Sequence, residues 1–488
     1  MSQFVGTRRD ARWSALVVLC AGMLMIILDG TIVNVALPVI QADLAFTQSG
    51  LAWVVNAYLI PFGGLLLLAG RAGDLIGRKK MFLSGLVVFT LASLLCGFAG
   101  SQAMLIAARF VQGVGGAMAA AVILGMIVTM FPEKGERSRA IGVFSFVAAA
   151  GGSIGLLAGG VLTQAISWHW IFFVNVPIGV AAFLFAVRLV PGERGIGVRH
   201  GADVIGALLG TSGLMLGVYT IVKAADYGWG SARTLIAGTV AVALIAAFVV
   251  RQARVANPLL PLRIFASRNV TGANLIQVLM VAGMFSMFFL GALYLEKVLG
   301  YDPLRIGLGF LPVAVGIGTL SLGASARVNA RFGERNVLIG ALLLVLAGLL
   351  LFTRAPVDGS YLTDILPSTV LMGVGAGLGF PALMTLAMSG ATEDDSGLAS
   401  GLVNTTQQVG GALGLAVLAT LSTSRTNGLL AAGESPVEAL TSGYRLAFGV
   451  GAALVAVGVV LAVVVLRRPE PEEAEEVEVP ARVGLEVS

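Results

Sequence analysis

Fourteen long apolar runs occupy most of this chain, near residues 14–36, 51–70, 80–99, 103–130, 139–163, 169–189, 203–222, 233–250, 271–294, 305–326, 335–353, 363–388, 397–421 and 444–466. A helix needs about 20 mostly apolar residues to cross a bilayer, and in lipid only helices and closed barrels satisfy every backbone polar group. The runs predict an all-α integral membrane fold with fourteen transmembrane helices. Composition points the same way: 57% of the 488 residues are hydrophobic and 12% are charged, where a soluble domain carries about 25% charge. So little charge cannot solvate a globular surface. Cys20 and Cys96 are the only cysteines, and both lie in apolar runs, which excludes a disulfide-stapled scaffold. The loops are too short for a folded soluble domain. Function has to sit inside the membrane.

The basic residues orient the spans. With the N-terminus inside, 23 of the 31 Lys and Arg fall on inward segments, seven on outward ones and one, Arg109, within a span. That asymmetry predicts cytoplasmic termini. The start, residues 1–13, reads as a short cytoplasmic tail ahead of a retained first helix, because the apolar run is of full span length and no cleavage site precedes it. Residues 467–488 read as an acidic, disordered cytoplasmic tail. The pI of 9.4 reflects bases scattered over short inward loops, so no nucleic-acid partner is expected.

A carboxylate at mid-bilayer costs about 2.5–3.5 kcal/mol on insertion scales, which makes an intramembrane acid a functional candidate. Asp29 lies deep in the first run, within LMIILDGTIVNVALP. It suits proton exchange; a permanently paired structural acid is the alternative. In the fourth run, Arg109, Gln112, Gly113 and Gly116 share one helical face. A cation beside glycines implies a close neighbouring backbone and an acceptor, with Asp29 the obvious one; snorkelling to the interface is the competing reading. Thr31 and Asn34 on the first run, Gln112 on the fourth, and Asn404 and Gln408 on the thirteenth are candidates to line a polar cavity or to bond across helices. Gly151, Gly155 and Gly159 recur every four residues, with Gly160 beside them, and form a bare stripe for tight packing. Between the second and third runs, Gly70, Asp74, Gly77, Arg78 and Lys79 read as a short glycine turn in which Asp74 pairs with Arg78 at i+4.

Enzyme chemistry is thinly supplied. The two histidines are His169, between Trp168 and Trp170 at an outward interface, and His200 in an inward loop; HExxH, GxSxG and CxxC are all absent. Trp168 and Trp170 fit an interfacial aromatic belt. No metal site and no cofactor is expected.

Taken in order, these segments resemble the major facilitator superfamily, and within it the fourteen-span drug:proton antiporters that carry multidrug efflux. The 70–80 segment is similar to the superfamily's signature Gly-x-x-x-Asp-x-x-Gly-Arg-Lys/Arg at Gly70, Asp74, Gly77, Arg78 and Lys79. LDGTIVNVALP resembles the first-helix motif of the fourteen-span branch, the Arg109 segment resembles the fourth-helix motif tied to proton transfer, and the fifth run resembles the antiporter motif, with Leu156 where that motif usually has Pro. WHWIFFVNVPIG and GLVNTTQQVGGALG also look like this branch. The resemblance implies two six-helix bundles, 14–189 and 271–466, joined by a 190–270 linker that carries two extra membrane helices. It also implies alternating access around a midplane site, with Asp29 and Arg109 coupling protons and the 70–80 turn acting as a cytoplasmic gate. The matching second-bundle segment, Gly323 to Arg335, is a degraded copy that lacks the Asp.

The expected function is proton-driven export of amphipathic or cationic drugs, with no cofactor beyond the proton gradient. A dedicated exporter of one metabolite or self-made antibiotic is the alternative. Nutrient uptake is disfavoured by the glycine-rich fifth run, and a membrane enzyme lacks its nucleophile or metal ligands. Expected partners are a drug-like small molecule, protons and the bilayer, with the chain a monomer. Five Lys against 26 Arg hint at a GC-rich bacterium, which would place the chain in a bacterial cell (inner) membrane.

Overall fold

A computed structural model describes residues 2–192, 195, 197, 201–389 and 396–467. Arg194, Arg199, His200 and the acidic tail beyond Arg467 lie outside the described residues. Among those described there is no strand. The first half runs α1 (Ser2–Asp43), α2 (Gln48–Ile76), α3 (Arg78–Gly97), α4 (Gln102–Met130), α5 (Lys134–Ala165), α6 (Trp170–Phe173) and α7 (Asn175–Leu189). Next come α8 (Val204–Tyr227) and α9 (Ala232–Arg254). The second half runs α10 (Arg268–Lys297), α11 (Pro303–Thr319), α12 (Ser325–Phe332), α13 (Glu334–Phe352), α14 (Leu366–Met388), α15 (Ser396–Ala431) and α16 (Pro436–Val464). The fourteen apolar runs fall largely on helix, the sixth being broken between α6 and α7 and the tenth crossing from α11 into α12. Eleven helical stretches among the described residues are long and apolar enough to cross a membrane, and α11 is apolar but shorter.

Local chemistry sets where the helices start and stop. Thr47, Ser101, Asp203, Ser231, Ser267, Asp302 and Ser435 each accept a hydrogen bond from the backbone N–H three residues on, which satisfies a donor the helix cannot. The expected turn over 70–80 contracts to one residue. Helix α2 continues to Ile76, and Gly77, at φ 103°, ends α2 and opens α3. Glycines are common in membrane helices, so glycine richness alone does not mark a loop. Gly333, at φ 77°, repeats the device between α12 and α13. Helix α1 also starts earlier than the apolar run, at Ser2.

In the first bundle α4 packs on α2 and α3, and α1 packs on α5 and α7. In the second, α10 packs on α15 and α16, and α14 on α11 and α13. The bundles meet along two seams, α2 with α15 and α5 with α11. Helix α8 packs on α9 and also on both helices of the α2–α15 seam. Trp53 of α2 rests on Tyr219 of α8 at 6.4 Å between ring centroids, and the Thr420 hydroxyl of α15 donates to the Ile221 carbonyl of α8 at 3.3 Å. The α8–α9 hairpin is tied at its base by Asp203, which accepts from Arg251 Nε at 2.6 Å and Gln252 Nε2 at 2.7 Å.

Candidate functional site

The charge that is costliest to bury sits at the centre of the first bundle. Asp29 is fully buried and Arg109 is 1% exposed. Arg109 does not snorkel: its Nη1 donates to Asp29 Oδ2 at 2.5 Å and to Gln112 Oε1 at 2.7 Å, and its Nε donates to the Val54 carbonyl at 3.0 Å. The guanidinium carbon lies 4.4 Å from the Tyr58 ring centroid, a cation–π contact worth most where water is excluded. The glycines explain the approach. A Cβ on Gly113 would strike the Tyr58 carbonyl, and one on Gly116 would lie 2.9 Å from the Phe62 ring. Only a bare α4 face brings Arg109 down onto α2.

The other carboxylate oxygen is held by amides. Asp29 Oδ1 accepts from Gln112 Nε2 at 2.8 Å and from Asn175 Nδ2 at 3.0 Å. Ser93 on α3 joins both amides: its Oγ accepts from Gln112 at 3.2 Å and Asn175 at 3.1 Å, and donates to the Phe172 carbonyl at 2.9 Å. Helices α4 and α7 thus bond the Asp29 carboxylate of α1 directly, while α2 and α3 hold those partners in place. Gln112, expected as a cavity or cross-helix residue, belongs to this network. Ser93 and Asn175 were not singled out from the sequence. Asn175 follows an apolar stretch and sits two residues before Pro177; an amide at that break was the available signal. Pro177 has no N–H to give the Phe173 carbonyl, and α6 stops at Phe173 while α7 opens at Asn175.

The remaining candidates scatter around this core. Thr31 bonds back to the Ile27 and Leu28 carbonyls, each at 3.1 Å, and Asn34 to the Gly30 carbonyl at 3.1 Å. Both donors are therefore used within α1. Gly151, Gly155 and Gly159 face α1, where Gly155 makes room for Thr31 and a Cβ on Gly159 would lie 2.7 Å from the Ile32 carbonyl. Gly160 turns the other way, onto the second bundle: a Cβ there would lie 2.9 Å from the Pro303 carbonyl, and one on Gly307 would lie 2.6 Å from the Leu156 carbonyl. Gln408 belongs to the other seam, where its Cβ fills the space left by Gly63, and neighbouring Thr405 donates to the Gly63 carbonyl at 3.2 Å. Asn404 lies on an exposed side of α15. Trp168 is buried rather than belt-like and donates to Asp43 Oδ2 at 2.8 Å, while Trp170 is 45% exposed.

At the end marked by Gly77, Arg78 donates through Nε and Nη2 to Asp74 Oδ1 at 3.1 and 3.0 Å. Its Nη1 reaches the Thr129 hydroxyl at 3.0 Å and the Gly125 carbonyl at 3.4 Å. The Asp74–Arg78 pair therefore ties the α2–α3 turn to the end of α4. Lys79 donates to the Val187 carbonyl of α7 at 2.9 Å. Gly70 lies within α2 with only Ala121 near it. The second bundle keeps half of this arrangement. Arg335 donates to the Ala462 and Val463 carbonyls of α16 at 3.3 and 2.6 Å, as Lys79 does to α7, but Ala330 stands where Asp74 would be. A shallow recess of about 640 Å³ at the same end, lined by Trp13, Arg139, Gly142, Val143 and Phe146, does not reach Asp29.

A family model described as Major Facilitator Superfamily matches residues 19–415. The chain belongs to that superfamily. Among its relatives, the puromycin resistance protein pur8 of Streptomyces alboniger is 40% identical over 451 residues, covering 91% of this chain and 89% of the relative. The cephamycin export protein CmcT of Amycolatopsis lactamdurans is 38% identical over 450 residues, covering 91% of each chain. The solved nucleoside transporter NupG superposes with a TM-score of 0.65 at 11% identity, over 93% of this chain and 100% of that one. At that identity the likeness concerns the superfamily fold alone. The two polar clusters, at Asp29 and at Asp74, thus sit within a transporter scaffold.

Proposed function

We propose that this chain is a proton-driven exporter of antibiotic-like small molecules, a fourteen-span monomer that works by alternating access in a bacterial cell membrane with both termini cytoplasmic. The observation that carries the reading is Asp29, a fully buried acid whose counter-ion, Arg109, is equally buried. When Asp29 takes a proton, Arg109 loses its ionic partner and must recruit neutral acceptors, so one protonation event changes how α1, α2 and α4 hold together. The Asp74–Arg78 pair serves as the cytoplasmic latch of the same cycle. Similarity to resistance and export proteins over nine-tenths of the chain supports export as the direction of transport.

Each of the two relatives is named for one antibiotic, which favours the second reading, a dedicated exporter over a multidrug one. A susceptibility panel in an efflux-deficient host, with puromycin, a cephamycin and unrelated cationic dyes, separates the two. Protection against one compound class marks a dedicated exporter, and protection against several unrelated cations marks a multidrug one. Proton coupling is tested in proteoliposomes with an imposed pH gradient, using whichever compound the panel selects. Asp29→Asn at matched protein levels is expected to abolish gradient-driven transport; undiminished transport would remove Asp29 from the coupling role.

A further inference from the structure

Asn175 joins Asp29 to a third helix and leaves one of its own atoms idle. Its Nδ2 spends both protons, one on Asp29 Oδ1 and one on Ser93 Oγ. Its Oδ1 is buried and accepts no hydrogen bond among the described residues. Facing an ionised carboxylate, the amide must present N–H, because a carboxylate only accepts. A protonated Asp29 reverses that need, since its new O–H requires an acceptor. A buried polar atom left without a partner is costly enough to call for a physical reason, and Oδ1 of Asn175 lies on the same amide that touches the acid.

We propose that Asn175 is the positioning residue of the proton site, an amide that serves both protonation states of Asp29 by rotating end for end. With Asp29 ionised, Nδ2 donates to the carboxylate. With Asp29 protonated, the amide turns, Oδ1 accepts the acid proton's hydrogen bond, and Nδ2 takes the place vacated by Oδ1. No bond to carbon changes and the proton stays on Asp29. Ser93 suits the exchange because a hydroxyl can donate or accept. Its Oγ accepts from Nδ2 in the ionised state, and its one proton, now on the Phe172 carbonyl, can swing to the turned amide oxygen as that carbonyl is released. The charged or titratable groups acting on Asp29 from the elements around it are Arg109 of α4, Tyr58 of α2 and Cys96 of α3. Helix α5 contributes glycines and α7 contributes Asn175. Asn175 is thus the contact through which α7 senses the proton.

This inference rests on the reading of Asp29 as a proton carrier, and the test separates the two. The purified full chain in liposomes is titrated by infrared difference spectroscopy, with no substrate present. The carboxylic-acid C=O band of Asp29 is assigned by its disappearance in Asp29→Asn. In Asn175→Leu both forms of Asp29 lose a bond to the amide, but the bond to the charged carboxylate is the stronger, so the pH at which that band is half developed is expected to rise, by up to about one unit. The band should also move to higher wavenumber, because the acid O–H loses its acceptor. Ser93→Ala, which keeps the amide and loosens its hold, should shift the midpoint in the same direction by less, and stands in if Asn175→Leu does not fold. A wild-type Asp29 band that titrates with the same midpoint and position in both variants would overturn the role of Asn175. A wild type with no titrating Asp29 band would overturn the proton-carrier reading itself, and this inference with it.

Discussion

Removing one member of the Asp29–Arg109 pair should cost different amounts depending on which member goes. A buried pair broken by deletion of one partner loses about 3–5 kcal/mol. In Asp29→Asn, Arg109 stays charged, because a guanidinium does not lose its proton in a protein. At 1% exposure, water cannot take the place of the carboxylate. The amide oxygen restores one neutral hydrogen bond worth about 1 kcal/mol, which leaves a net loss of about 2–4 kcal/mol. In Arg109→Gln the remaining acid can take up a proton and keeps its contacts with Gln112 and Asn175, so the loss should be about 1–2 kcal/mol. The double variant has no unpaired charge and should be no worse than Arg109→Gln. The cycle therefore carries a coupling of at least about 2–4 kcal/mol, from the upper part of the range usual for contacting groups to just past it. Thermal unfolding of the purified variants in one detergent at one pH measures it. Additive losses, or Asp29→Asn as stable as Arg109→Gln, would refute the argument that the pair is desolvated and mutually dependent.

Two further predictions concern sites away from that pair. Asp74→Asn should slow transport about tenfold while leaving ligand binding in detergent intact. Because Asp74 and Arg78 are 42% and 32% exposed, melting should change by less than about 1 kcal/mol; a large loss of affinity would overturn the latch assignment. Gly115→Val should destabilise by about 3 kcal/mol or more, since a Cβ there would meet the Phe89 backbone, with Phe89 Cα at 2.9 Å. The yield of monodisperse protein reads this out against Gly142→Ala, a position with nothing within 4 Å.

How much of this was legible in the sequence depends on what each residue costs in lipid. Asp29 and Arg109 announce themselves, because a charge inside an apolar run has no cheap explanation, and the i, i+3 spacing brings Gln112 with it. Asn175 does not, because an amide in a membrane helix is cheap enough to pass as packing, and its partner Asp29 lies 146 positions away. The glycine stripe on α5 was visible as a bare face, but what it faces was not. Periodicity gives the side of a helix and never the neighbour, so the turn of Gly160 towards α11 needed coordinates. Thr31 and Asn34 show the converse limit. Spacing puts them on one face, yet whether a hydroxyl or amide bonds across helices or back along its own turn is decided by local rotamer geometry that spacing cannot show.

The seating of α8 against both α2 and α15 bears on how a greasy solute would travel. Compounds that partition into bilayers can enter a transporter sideways, through whichever crevice between its halves is open to the acyl chains. Here the two crevices are unequal. The α2–α15 crevice is roofed by α8 and stitched by the contact of Trp53 with Tyr219 and the bond from Thr420 to Ile221. At the α5–α11 crevice the two helices meet backbone to backbone, Gly160 against Pro303 and Gly307 against Leu156, with no side-chain hydrogen bond across it among the described residues. A solute drawn sideways from the lipid would then be expected to pass on the α5–α11 flank rather than beneath α8.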